Sequence, residues 1–147
     1  MNIAYIYFRS IPDHKVLNDI IKLHKDIFGS VDNLINRMES KPHLLINIAL
    51  DNDKLIGYKI GYALDHDKFY SWLGGVDANY RNYGVATNLM EQQQQFLRDN
   101  GYQSVQTKTK NKWRSMLILN IKKGFDVIGV YTDDKSEKKI LLEKKLL

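Results

Sequence analysis

Arg81-Asn82-Tyr83-Gly84-Val85-Ala86 places a cation, a glycine and a small residue where an apolar strand-like run, Phe69 to Val76, hands over to a helical pattern. The first turn of a helix has N–H groups without intrahelical partners. The macrodipole adds about half a positive charge at the same end. An anion satisfies both. Gly84 lets a ligand approach without meeting a β-carbon, and Ala86 is nearly as small. Arg81 adds a permanently charged fork. This chemistry suits a diphosphate. The same residues also suit a tight turn with a solvated arginine. The spacing is neither that of the P-loop nor that of the glycine-rich dinucleotide turn.

The elements that must hold this turn follow from periodicity. Strands are expected over 2–10, 43–51, 54–64, 68–76, 102–109, 125–133 and 138–146, and helices over 13–28, 31–39, 83–99 and 112–124. Asp13 is a candidate cap and Gly29 a stop for the first helix. Asn52-Asp53 makes a hairpin turn, and Gly74-Gly75 suits a bulge. In 83–99, Val85, Leu89 and Phe96 form one apolar row and Ala86, Met90 and Leu97 the next. Glu91, Gln94, Gln95 and Arg98 are expected to face out. The order β-α-α-β-β-β-α-β-α-β-β implies one α/β (α+β) domain over 1–147. Its sheet is mixed, with helices packed on its faces.

Composition bounds the function. The chain has 147 residues, 44% apolar and 27% charged, enough for one real core. It has no cysteine, which removes disulfides, thiolate zinc sites and cysteine nucleophiles together. No apolar run reaches the ~18–20 residues of a membrane span. The first residues carry no signal-peptide pattern, so a cytoplasmic home is expected. The net charge of +5 favours an anionic partner or reflects a basic background. Nucleic acid is not expected, because the lysines are scattered among acids and no binding motif is present.

Two separated motifs give a resemblance. Arg81-Asn82-Tyr83-Gly84-Val85-Ala86 after Leu73-Gly74-Gly75-Val76, with Asn111 and Gly124-Phe125 further on, resembles the GNAT superfamily, the Gcn5-related N-acetyltransferases. The resemblance covers nearly the whole chain. It implies a mostly antiparallel, twisted sheet of about seven strands with helices on both faces. It implies acetyl-CoA as acetyl donor and no metal. Amides of Arg81, Asn82, Tyr83, Gly84, Val85, Ala86 and Thr87 would hold the pyrophosphate. Gly75 and Val76 would meet the pantetheine arm where strands 68–76 and 102–109 splay, and Asn111 would also bind the cofactor. Lys108, Lys110, Lys112 and Arg114 would either meet phosphates or be ordinary solvated charge. The partners implied are acetyl-CoA and an amine acceptor, for a monomer or a homodimer.

The implied chemistry is direct attack of an amine on the thioester, so the lack of cysteine costs nothing. The family often places a tyrosine acid four residues before Gly-Phe. Here that position is Asn120, which can hydrogen-bond a sulfur but cannot give up a full proton at neutral pH. No base is legible. Asp65, His66 and Asp67 read as a solvated turn, and His14 and His24 as helix-surface residues. The acceptor pocket is expected from the first two helices and aromatic strand residues, with Phe28, Tyr62 and Trp72 as its candidates. The alternative is a catalytically silent acyl-CoA-binding sensor.

Overall fold

A computed structural model describes residues 1–147. The strands are β1 (Ile3–Phe8), β2 (Leu45–Asp51), β3 (Lys54–Ala63), β4 (Lys68–Val76), β5 (Ser104–Lys110), β6 (Asp126–Thr132) and β7 (Lys138–Lys145). The helices are α1 (His14–Phe28), α2 (Leu34–Glu39), α3 (Val85–Asp99) and α4 (Arg114–Lys122). A short 3-10 turn, Ala78–Tyr80, was not expected. The order and type of the other elements agree with the sequence pattern, with ends shifted by up to three residues.

Local chemistry sets the boundaries. The Asp13 carboxylate accepts the Val16 N–H at 3.1 Å and starts α1; Gly29, at φ +80°, ends it in the left-handed region. Asp65 Oδ1 accepts the N–H groups of Asp67 and Lys68 and so builds the β3–β4 turn.

All seven strands form one sheet in the order β1-β2-β3-β4-β5-β7-β6. Every neighbouring pair is antiparallel except β4–β5. α1 and α2 cover one face, packing Leu17, Ile20, Leu34 and Met38 on Ile46, Ile48, Tyr58 and Ile60. α3 and α4 cover the other. There Val85 and Leu89 meet Ala49 and Ile56, and Met90 and Leu97 join Phe69, Val105 and Leu142. No helix is long and apolar enough to cross a membrane.

Expectations fail at Gln94 and at Gly74-Gly75. Gln94 does not face out. It is buried; its Oε1 accepts from Lys144 Nζ of β7 at 2.9 Å, while its Nε2 has no hydrogen-bond partner. Gly74-Gly75 is not a bulge. Gly74 pairs with Lys59 and Gly75 with Tyr58 in regular register, and the extra residue is Trp72. Gly75 is small for another reason: a β-carbon there would lie 2.5 Å from Ile27 Cδ1 of α1.

Candidate functional site

The parallel pair β4–β5 is incomplete. Pairing runs from Lys68–Ser104 to Ser71–Thr107 and stops. Thr107 Oγ1 donates to the Ser71 carbonyl at 3.0 Å across the last pair. β4 nevertheless continues to Val76, paired with Gly57 on its other side, and β5 continues to Lys110, paired with Lys139. The two strands therefore part. Between residues 72–76 and 108–110 the backbone edges that face each other have no strand partner. Trp72 and Lys108 flank the point where the gap begins. A bulge at Trp72 suits this place, because the extra residue bends the strand and re-aims its backbone.

The Arg81–Thr87 turn follows β4. Asn82 and Gly84 are both left-handed, at φ +71° and +77°. No side chain caps α3. None of the N–H groups of Asn82, Tyr83, Gly84, Val85, Ala86 and Thr87 has a backbone acceptor. Six consecutive free donors at a helix start have the chemistry that anion-binding turns use. A β-carbon on Gly84 would meet nothing within 4 Å, so glycine is favoured there by its φ and not by crowding.

The turn is tied down from behind. Asp77 Oδ1 accepts the Asn79 N–H at 2.8 Å and closes the 3-10 turn. The Tyr80 hydroxyl donates to Asp51 Oδ2 at 2.6 Å, and this hydrogen bond holds the Asp51 carboxyl below its usual range. Asn88 Nδ2 donates to the Tyr5 hydroxyl at 3.0 Å and fixes α3 to β1. Sequence reasoning did not single out Asp77 or Tyr80. An Asp followed two residues later by Asn at a strand exit was the available signal for Asp77. Tyr80 had none, because Asp51 lies 29 positions away.

Of the basic residues near the open end, three are engaged within the protein. Lys110 and Lys112 both pair with Glu137 Oε2, at 2.8 and 3.4 Å. The Lys110 hydrogen bond pulls the Glu137 carboxyl down. Arg114 Nε donates to the Asn111 carbonyl at 2.8 Å. Lys108 instead stands 5.7 Å from the Tyr70 ring centroid and 5.8 Å from that of Tyr131.

The acceptor-side aromatics divide. Tyr62 and Trp72 meet edge to face, with centroids 5.7 Å apart, on the face of α1 and α2. Phe28 joins a different group, packing on His24 and Trp113 at 4.8 and 6.1 Å. Asn120 is buried on α4, and its carbonyl accepts the Phe125 N–H at 3.0 Å. His24 is not a surface residue: it is buried and bonded to the Tyr58 hydroxyl.

A sheet parted beside an uncapped helix start is an α/β frame with room for an extended, anion-tipped ligand laid edge-on. Residues 14–114 match the model of the acetyltransferase (GNAT) family, and the chain belongs to that family. No curated protein matches the sequence significantly. Among solved structures, Ard1 from Thermoplasma volcanium superposes with TM-score 0.85 at 14% identity, over 99% of this chain and 98% of that one. The ribosomal-protein-S18-alanine N-acetyltransferase from Escherichia coli gives 0.80 at 15% identity, over 97% and 94%. A GNAT family acetyltransferase from Elizabethkingia anophelis with acetyl-CoA bound gives 0.74 at 18% identity, over 98% of each chain. At these identities the likeness carries the fold.

Proposed function

We propose that the protein transfers the acetyl group of acetyl-CoA to a primary amine by direct attack of the amine on the thioester. The observation that carries this reading is the row of six unpartnered N–H groups from Asn82 to Thr87 at the end of the β4–β5 gap. This nest of donors suits the pyrophosphate, with Arg81 beside it. The gap suits the pantetheine arm, which would satisfy the lone backbone edge of β4 near Gly75 and Val76. Asn111 lies at the end of β5 and would complete the grip. The Elizabethkingia relative, whose structure holds acetyl-CoA, shares the fold.

In this reading the rate comes from positioning two reactants and from an N–H near the Trp72 bulge that meets the developing thioester oxyanion. Asn120 would donate a hydrogen bond to the departing sulfur. Tyr62 and Trp72 would line the acceptor side. Phe28 would border the open end of the gap with Trp113.

Calorimetric titration with acetyl-CoA, Gly84→Val alongside, tests the nest. Thiol release with a panel of amines tests the chemistry. The expected result is binding by the wild type alone and thiol release with at least one amine. Binding without release from any amine would favour a silent acyl-CoA sensor, the reading that Asn120 in place of tyrosine motivates. No binding would remove both.

A further inference from the structure

Three side chains on the face of α1 and α2 form a row beside the start of the gap. Tyr62 meets Tyr70 at 5.4 Å and Trp72 at 5.7 Å, both edge to face. Aromatic rows of this kind suit a cationic ligand. Here, however, the protein's own cations already hold those positions. Arg37 from α2 stands 5.0 Å from the Trp72 ring centroid. Lys41 Nζ stands 4.7 Å from Tyr62 and 5.0 Å from Trp72. Lys108 covers Tyr70 and Tyr131 from β5.

None of these three cations lies within 4.0 Å of a carboxylate, whereas Lys110 and Lys112 nearby share Glu137. The only polar partner of the Arg37 guanidinium is the Asp32 carbonyl, at 3.4 Å. Ring faces orient the cations but do not cancel their charge. The patch therefore presents three positive charges at the point where β4 and β5 part. Such a surface repels a protonated amine and attracts carboxylates. It also favours the neutral, attacking form of an amine brought there.

The cations sit at both ends and in the middle of a three-ring row. That row is longer than the ~3.3–3.6 Å reach of a single residue. We infer that the acceptor is the amino terminus of an acidic peptide, with carboxylates at its second and third residues lying on Lys41, Arg37 and Lys108. This inference rests on the proposed acetyl transfer for its meaning, but the charge selectivity is measurable without it.

The test is fluorescence-anisotropy titration of the CoA-loaded protein with two labelled peptides. One carries Asp-Glu after an N-terminal serine and the other Lys-Lys. The titration is repeated with Lys41→Glu/Lys108→Glu, two partly or fully exposed positions where a charge swap leaves the core intact. The acidic peptide is expected to bind at least ~10-fold tighter than the basic one. That affinity should fall with salt and invert in the swapped protein. Free glutamate should compete only weakly; competition as strong as the peptide's would overturn the peptide as source. Equal binding of the two peptides, no binding of the acidic one, or a swapped protein that keeps the preference would overturn the inference. Acidic-peptide binding with no thiol release once acetyl-CoA replaces CoA would instead sink the transferase reading and leave the selectivity standing.

Discussion

His24 Nδ1 and the Tyr58 hydroxyl lie 2.6 Å apart, joining α1 to β3 inside the sheet's helix-covered face. Both are buried. Burial, helped by Arg37, holds His24 below its ordinary value of 6.5, and burial pushes the Tyr58 phenol up. The pair is therefore neutral in the fold at neutral pH. The unfolded chain binds more protons than the fold between the two His24 values, so stability rises with pH there. The stabilisation is fully present above about pH 6.5 and is lost as pH falls through the folded value. Urea midpoints of the wild type should fall on going from pH 7 to pH 5. His24→Gln, which keeps a polar partner without a titrating ring, should flatten that slope. Tyr58→Phe should cost about 1–3 kcal/mol if His24 is left without its partner.

Gly75 and Ile27 make a second bond between α1 and the sheet, this one of packing. A β-carbon on Gly75 would sit 2.5 Å from Ile27 Cδ1 and 3.3 Å from the Tyr58 hydroxyl. Gly75→Ala should destabilise by about 1–3 kcal/mol through overpacking. Adding Ile27→Val should recover part of that loss, so the double variant will be more stable than the sum of the single ones. Denaturant curves of the four proteins decide this. Strict additivity would mean that the crowding is relieved elsewhere.

The helix starts and stops were readable because they depend on neighbours in sequence. Asp13 and Gly29 bound α1 wherever the rest of the chain lies. The parting of β4 and β5 came only through resemblance. It depends on which backbone edges stay paired on their other sides, and no local pattern encodes that. Strands over 125–133 and 138–146 were expected, but neither their period nor their length says which lies next to β5; β7 takes the inner place, with Ile140 and Leu142 in the core. Gln94 and His24 were misread for one reason. Polar residues on a helix are assigned to water unless a distant partner is known, and their partners, Lys144 and Tyr58, lie 50 and 34 positions away.

Gly84, at φ +77° with open space around its missing side chain, separates backbone strain from ligand contact. Gly84→Ala should cost about 1–2 kcal/mol through the left-handed backbone. It should also weaken CoA binding by disturbing the nest. Gly84→Val should abolish it, because a branched residue is a worse fit to this φ. Arg81→Ala should lower affinity without touching stability, since its contribution is charge at an exposed turn. Calorimetry at two salt concentrations checks the last point: the gap between Arg81→Ala and wild type should narrow as salt rises.

Asn120 carries the sharpest prediction about chemistry. It is buried on α4, one turn before Gly124-Phe125, and its backbone already serves the Phe125 N–H. That bond uses only the backbone carbonyl, so replacing the side chain leaves the helix end intact. If the amide donates to the departing thiolate, Asn120→Ala removes one hydrogen bond made most strongly as charge develops. The expected loss is about 10-fold in kcat, near 1.4 kcal/mol, with the Kd for CoA unchanged. A residue that only packs would show the opposite division: lower stability and intact turnover in the folded variant. Acetyl donors whose thiols leave more readily sharpen the distinction. With a more acidic leaving thiol the cost of Asn120→Ala should shrink, because less charge needs help. Equal losses for both donors would remove Asn120 from the reaction and return it to the core.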